Sequence, residues 1–263
     1  MEVSSLGYRS DLMVRRLAGS AIIDRGRYLV VRSPHNPGFH WGNFLLFGAA
    51  PGPGDGARWL SIFATEFPHA NHVAIGVDSS DGDPGEVSEL VEAGLNLGVD
   101  LVLKAADLRP PARPHHGSVC RRLVTGEDWV QAAGLRLAVA AAEGFQAPDH
   151  GAFLERQVEE ARRLVQAGHG AFFGAFIDGQ LFSLLGLVTD GTGLARFQSV
   201  ETHPGHRRLG LAGTLVYTAG RFGLSEMDAR TLVMVAEPGG PAVGIYRALG
   251  FTDAEQQIGL SRP

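Results

Sequence analysis

Residues 201–214 read Glu201-Thr202-His203-Pro204-Gly205-His206-Arg207-Arg208-Leu209-Gly210-Leu211-Ala212-Gly213-Thr214, and the fold is decided by what this run can form. Upstream, Leu194 to Thr202 has the content of a strand, and Pro204-Gly205 interrupts it. Downstream, a helix is predicted over about Gly213 to Leu224. A strand that passes through a glycine turn into a helix is a place where an anion can sit. Gly210 and the small residues Ala212 and Gly213 let main-chain N–H groups approach it, and the first helical turn adds unpaired donors at the positive end of the helix dipole. Arg207 and Arg208 bring positive charge. The loop is therefore expected to wrap a pyrophosphate, with Arg207, Arg208, Leu209, Gly210, Leu211, Ala212, Gly213 and Thr214 as contact residues.

Working outward, a strand is predicted at Thr231 to Ala236, a helix at Pro241 to Leu249 and a last strand after Phe251. Before the loop, a strand at Cys120 to Val124 leads to Thr125-Gly126-Glu127-Asp128, the pattern of a capping box at a helix start. A second helix is predicted over Ala152 to Ala167, where Leu154, Val158, Ala161 and Val165 recur at helical spacing. Two strands flank Asp178-Gly179, a two-residue hairpin signal. The order is β, α, α, three meandering strands, α, β, α, β.

This order, the loop form Arg207-Arg208-Leu209-Gly210-Leu211-Ala212 and the downstream run Ala242-Val243-Gly244-Ile245-Tyr246-Arg247-Ala248-Leu249-Gly250-Phe251 resemble the GNAT acyltransferase superfamily. That superfamily's coenzyme A loop is Arg/Gln-x-x-Gly-x-Gly/Ala, and its second element is Ala-x-x-x-Tyr-x-x-x-Gly-Phe. The resemblance covers roughly residues 120–263. It implies that acetyl-CoA is the cosubstrate and that an amine attacks the thioester directly in a ternary complex. Main-chain groups around Glu201, Thr202 and His203 would bind pantetheine. Tyr246 would contact the coenzyme and protonate the departing thiolate, and Glu201 or His203 would take the proton from the amine. Where the family commonly has Asn, three residues before the position of Ala242, this chain has Gly239, which cannot supply that polar contact.

The first half has a hairpin around Asp24 to Arg27, a strand at Trp41 to Phe47, a Gly/Pro run at Gly48 to Gly56, a helix at Ala57 to Phe67, a strand at Val73 to Asp78, a helix at Glu86 to Gly94 and a strand at Val99 to Ala105. It echoes the second half weakly. Leu90 to Leu95 parallels Tyr246 to Phe251, with leucine in place of the tyrosine. Its candidate loop, Pro51 to Ala57, contains two prolines without N–H groups and the acidic Asp55. The reading is an α/β (α+β) chain of two GNAT-like modules, each a mixed, mostly antiparallel sheet flanked by helices. Residues 1–110 form a degenerate copy, 111–119 a proline-rich linker and 120–263 the acetyltransferase domain.

Composition bounds the rest. With 263 residues, 44% hydrophobic and 19% charged, two globular domains are expected. A net charge of -5 carries no footprint for nucleic acid. The single Cys120 excludes an internal disulfide framework. No window has the length of a membrane span, and a cytoplasmic monomer or homodimer without a metal is the expectation. Gly52-x-Gly54-x-x-Ala57 with Asp78 superficially fits a dinucleotide fingerprint, but a surface turn is the simpler reading. His69 with His72, and His115 with His116, lack the spacing of a metal site and read as surface or capping residues. Asp149 and His150 lie in a loop that lines the acceptor side in similar proteins. Against catalysis stands a non-catalytic acyl-CoA sensor or scaffold that keeps the loop without turnover.

Overall fold

Helix α1 (Leu6–Leu17) opens the chain and buries Tyr8, Leu12, Met13 and Val14. The sequence showed no sign of it, because its cap comes from far away. Asp78 accepts from Ser4 N (2.8 Å) and Ser5 N (2.9 Å), and Glu255 accepts from Leu6 N (2.6 Å) and Gly7 N (3.2 Å). These carboxylates satisfy the donors that a helix start leaves open. The computed structural model in which this is seen describes residues 1–144 and 150–263, and only the main chain of His150.

Strands β1 (Ala21–Asp24) and β2 (Tyr28–Arg32) form the expected hairpin. The next strand starts later than expected. His40–Gly42 is a turn of 3-10 helix and β3 is Phe44–Phe47. The Asn43 side chain explains the late start, since it accepts from Ser33 N and donates to the carbonyls of Asn36 and Phe39, holding residues 33–43 as a closed loop. Then come α2 (Asp55–Glu66), β4 (Val73–Val77), the short α3 (Ser88–Glu92) and β5 (Asn96–Ala105). Helix α3 is shorter than the sequence suggested because Gly85 (φ 68°) and Gly94 (φ 87°) close in on both ends.

In the second half β6 (Val119–Arg122) leads into α4 (Gly126–Ala142). The capping box forms: Thr125 Oγ1 accepts from Asp128 N (3.1 Å) and Asp128 accepts from Thr125 N (3.0 Å). Arg121 pairs with the same carboxylate at 2.7 Å and holds it well below the usual range. Helix α5 (His150–Gln166) buries Leu154 and packs Ala161, with Val158 and Val165, against α4 and the sheet. Strands β7 (Gly170–Ile177) and β8 (Gln180–Thr189) turn at Asp178 (φ 49°) and Gly179 (φ 81°), and β9 (Leu194–Thr202) completes the meander. The remaining elements are α6 (Leu211–Glu226), β10 (Thr231–Ala236), α7 (Pro241–Ala248) and β11 (Thr252–Arg262).

The chain divides into two compact units. The first holds residues 1–102, 235–239 and 253–263, with strand order β1-β2-β3-β4-β11-β5. The second holds 103–234 and 240–252, with order β10-β9-β8-β7-β6. The end of the chain belongs to the first unit because β11 pairs antiparallel with β4, Ile258 opposite Val77 through Arg262 opposite Val73. Its Ile258 and Leu260 are fully buried with Trp59, Phe63 and Ile75 in the first unit's core. No described helix is long and apolar enough to cross a membrane.

Candidate active site

Within the second unit, β9 runs parallel to β10 for a short stretch only. Pairing is Thr231 with Leu194, Leu232 with Ala195 and Val233 with Arg196. Beyond Arg196, β9 continues to Thr202 paired with β8 alone, and its course is bent at Ser199 (φ 48°), where the register with β8 shifts between Leu184 and Gly186. A strand edge without a ladder partner offers main-chain donors and acceptors to a ligand.

The end of β9 passes through a 3-10 turn (Pro204–His206) into the loop. Arg208 (φ 64°) and Gly210 (φ 87°) are both left-handed, and Gly210 is the N-cap of α6. No acidic residue stands in the first turn of α6. Leu211, Ala212 and Gly213 therefore present N–H groups at a helix start that its own residues do not fill. Helix α7 is brought beside this turn, with Ile245 Cγ2 3.5 Å from where a Cβ on Gly213 would lie.

On α7, Tyr246 is buried, with its ring edge-on to Phe251 at 6.1 Å. Burial pushes its phenol up to about 12, so it is protonated at neutral pH, the form that a proton donor needs.

Glu201 lies on β9 opposite Leu184, with a largely buried side chain. One oxygen accepts from Arg136 Nε at 3.0 Å, and the other is buried without a partner. Burial raises its pKa, and Arg136 opposes that shift only in part. Arg136 also donates to Gln157 at 2.8 Å, tying α4, α5 and β9 together. Sequence reading missed Arg136 and Gln157. The usable signal was a lone arginine between Leu135 and Leu137 in an otherwise apolar helical stretch.

His203 is placed differently from the expectation. Its N–H donates to the Phe182 carbonyl (2.8 Å), and its Nδ1 accepts from Gly205 N (3.2 Å). The Glu201 carbonyl accepts from the Ser183 hydroxyl. The main-chain groups expected to be free at Glu201 and His203 are therefore engaged on the β8 side. Alternation turns the main chain of Thr202 the other way, where its carbonyl accepts from Arg207 Nε at 3.3 Å. Arg207 further pairs with Glu143 at 3.1 Å, while Arg208 is exposed.

The other candidates resolve into structure. Asp78 caps α1, so the dinucleotide-like run has no acidic partner to offer. His72 is buried rather than on the surface: its Nε2 donates to the Asn43 carbonyl (2.9 Å) and its ring stacks on His40 at 4.3 Å. No group of His, Cys, Asp or Glu among the described residues is arranged to hold a metal. Asp149 and the side chain of His150 lie outside the described residues.

The second unit thus brings together a parted parallel strand pair, a glycine turn into a helix start without acidic residues, and a buried tyrosine on α7. Residues 138–251 match the model of the acetyltransferase (GNAT) family. The chain as a whole shares its fold with a tandem GNAT protein. A GCN5-related N-acetyltransferase from Kribbella flavida superposes with a TM-score of 0.65 at 17% identity, covering 98% of this chain and 96% of the other. A tandem GNAT protein from the clavulanic acid biosynthesis pathway gives 0.58 at 16% identity, over 95% and 87%. A functionally unknown conserved protein from Staphylococcus epidermidis gives 0.71 at 12% identity, over 93% and 94%. No curated protein matches the chain.

Proposed function

We propose that this protein transfers the acetyl group of acetyl-CoA to a primary amine, with residues 120–263 as the catalytic domain and 1–110 as a degenerate copy. The observation that carries this reading is the parting of β9 from β10 after Arg196 and Val233, beside an acid-free helix start capped by Gly210. The diphosphate would lie on the amides of Leu211 to Gly213, and the pantetheine along the open edge of β9 near Thr202. The amine nitrogen attacks the thioester carbon, a C–N bond forms and the C–S bond breaks. Tyr246 Oη gives its proton to the thiolate that leaves. Glu201, directly or through water, takes the proton that the amine loses.

A second reading, a non-catalytic acyl-CoA sensor or scaffold, is favoured by one observation. Both base candidates carry partners, Glu201 with Arg136 and His203 Nδ1 with Gly205 N–H. Thiol release from acetyl-CoA, measured across a panel of primary amines, separates the two. Amine-dependent release supports transfer, whereas tight coenzyme binding with no release for any amine leaves the sensor.

A further inference from the structure

The segment from Pro111 to His115, expected to be an extended spacer, lies on the phosphate turn of the second unit. The Arg113 carbonyl oxygen stands 2.4 Å from where a Cβ on Gly210 would be, and the His115 nitrogen 3.5 Å. His115 N–H donates to the Thr214 hydroxyl (3.0 Å), which donates to the Gly210 carbonyl (2.9 Å). Pro111 Cβ comes within 3.8 Å of the corresponding position on Gly213. The strap is thus pinned to the turn by main-chain groups, independent of side-chain identity at 113.

Three consequences follow for charge at this turn. The Thr214 hydroxyl is committed to the strap. Arg207 is engaged by Glu143 and the Thr202 carbonyl, which takes one of the two expected cations away from the anion. Arg113, by contrast, is exposed and has no ion-pair partner among the described residues, and its own carbonyl is packed on Gly210. A guanidinium on a three-methylene stem reaches across so short a separation and matches phosphate oxygens in bidentate geometry. On the same strap, His115 Nδ1 is buried without a partner, a polar group left unmet beside the turn.

We propose that Arg113 is a coenzyme-binding residue outside the loop motif, its guanidinium taking a phosphate of the coenzyme seated on the Gly210 turn. This rests on the acetyl-CoA reading above. The test is calorimetric titration of the full-length protein and its Arg113→Ala and Arg113→Lys variants with coenzyme A and with 3′-dephospho-coenzyme A. Arg113→Ala should weaken coenzyme A binding on the order of tenfold, the scale of one charge-assisted contact. Arg113→Lys should recover part of it. A loss that disappears with the dephospho compound places the contact at the 3′-phosphate, and a loss that persists places it at the diphosphate. Unchanged affinity in Arg113→Ala overturns the inference while leaving the acetyl-CoA reading intact. Equal losses in the alanine and lysine variants, accompanied by equal drops in thermal midpoint, would make the residue structural and overturn it too. Failure of the unmodified protein to bind coenzyme A removes the underlying reading, and this inference with it.

Discussion

The chain builds one device twice and leaves it open once. In the first unit Gly54 (φ 81°) caps α2, and in the second Gly210 (φ 87°) caps α6; each turn follows a strand and leads to a parallel one. Around Gly54 the amides are already taken: Asp55 accepts from Gly52 N (2.9 Å) and Glu89 from Ala57 N (3.2 Å). The adjoining strands do not part either. Pairing of β3 with β4 runs through Phe47 opposite Val77, and Asp78 N then donates to the Phe47 carbonyl. Phe47 itself stacks on Trp59 at 3.8 Å. Where the second unit has the buried phenol of Tyr246, the first has the fully buried Leu90. If the proposed reading holds, a glycine turn before a helix is not enough for an anion site. The helix start must be free of its own carboxylates, and the strand beside it must lack a partner.

The sharpest test of this contrast is Tyr246→Phe. Its turnover should fall at least on the order of a hundredfold, the lower range for loss of a general acid, with coenzyme affinity nearly unchanged. Steady-state kinetics beside a binding titration would show it, and equal losses in both would make the residue a packing element.

Matched glycine substitutions come next. Gly54→Ala meets open space and should cost only the left-handed strain, about 1 kcal/mol, with coenzyme binding untouched. Gly210→Ala drives a methyl into the Arg113 carbonyl and should weaken coenzyme binding on the order of tenfold or more. Similar binding losses for the two would erase the distinction between the turns.

The pH profile sharpens the role of Glu201. Its pKa is raised by burial, and only the ionised form accepts a proton, so activity should fall as pH drops through a value above the ordinary glutamate 4.5. In Glu201→Gln that acid limb should vanish from kcat/KM, and a limb that stays put would assign the base elsewhere. The smallest effect is expected from Asp55→Ala with Glu89→Ala. Freeing those amides should cost about 1 kcal/mol per lost cap and create no second site, because the β3–β4 ladder remains closed. A binding stoichiometry rising from one to two would break the comparison.

Much of this site could be read from local signals. Gly210 and Asp178-Gly179 demand left-handed backbone, the Thr125–Asp128 box caps its own helix, and Tyr246 sits at a motif spacing; all four lie where expected. What escaped notice had its cause far along the chain. Helix α1 is capped by Asp78 and Glu255, the partner of Glu201 is an arginine from α4, and His203 is spent on a turn and on Phe182.

By itself the chain's order of residues determined the turns, the helix faces and the glycine loop before α6, because each follows from backbone sterics or periodicity over a few neighbours. Only the tertiary structure decided that β11 joins β4, that β9 leaves β10 after three pairs, and that the linker lies on Gly210. Strand partners and strap positions depend on hydrogen-bond register between segments remote in the chain, and no local pattern encodes which of the available edges will be paired and which left open.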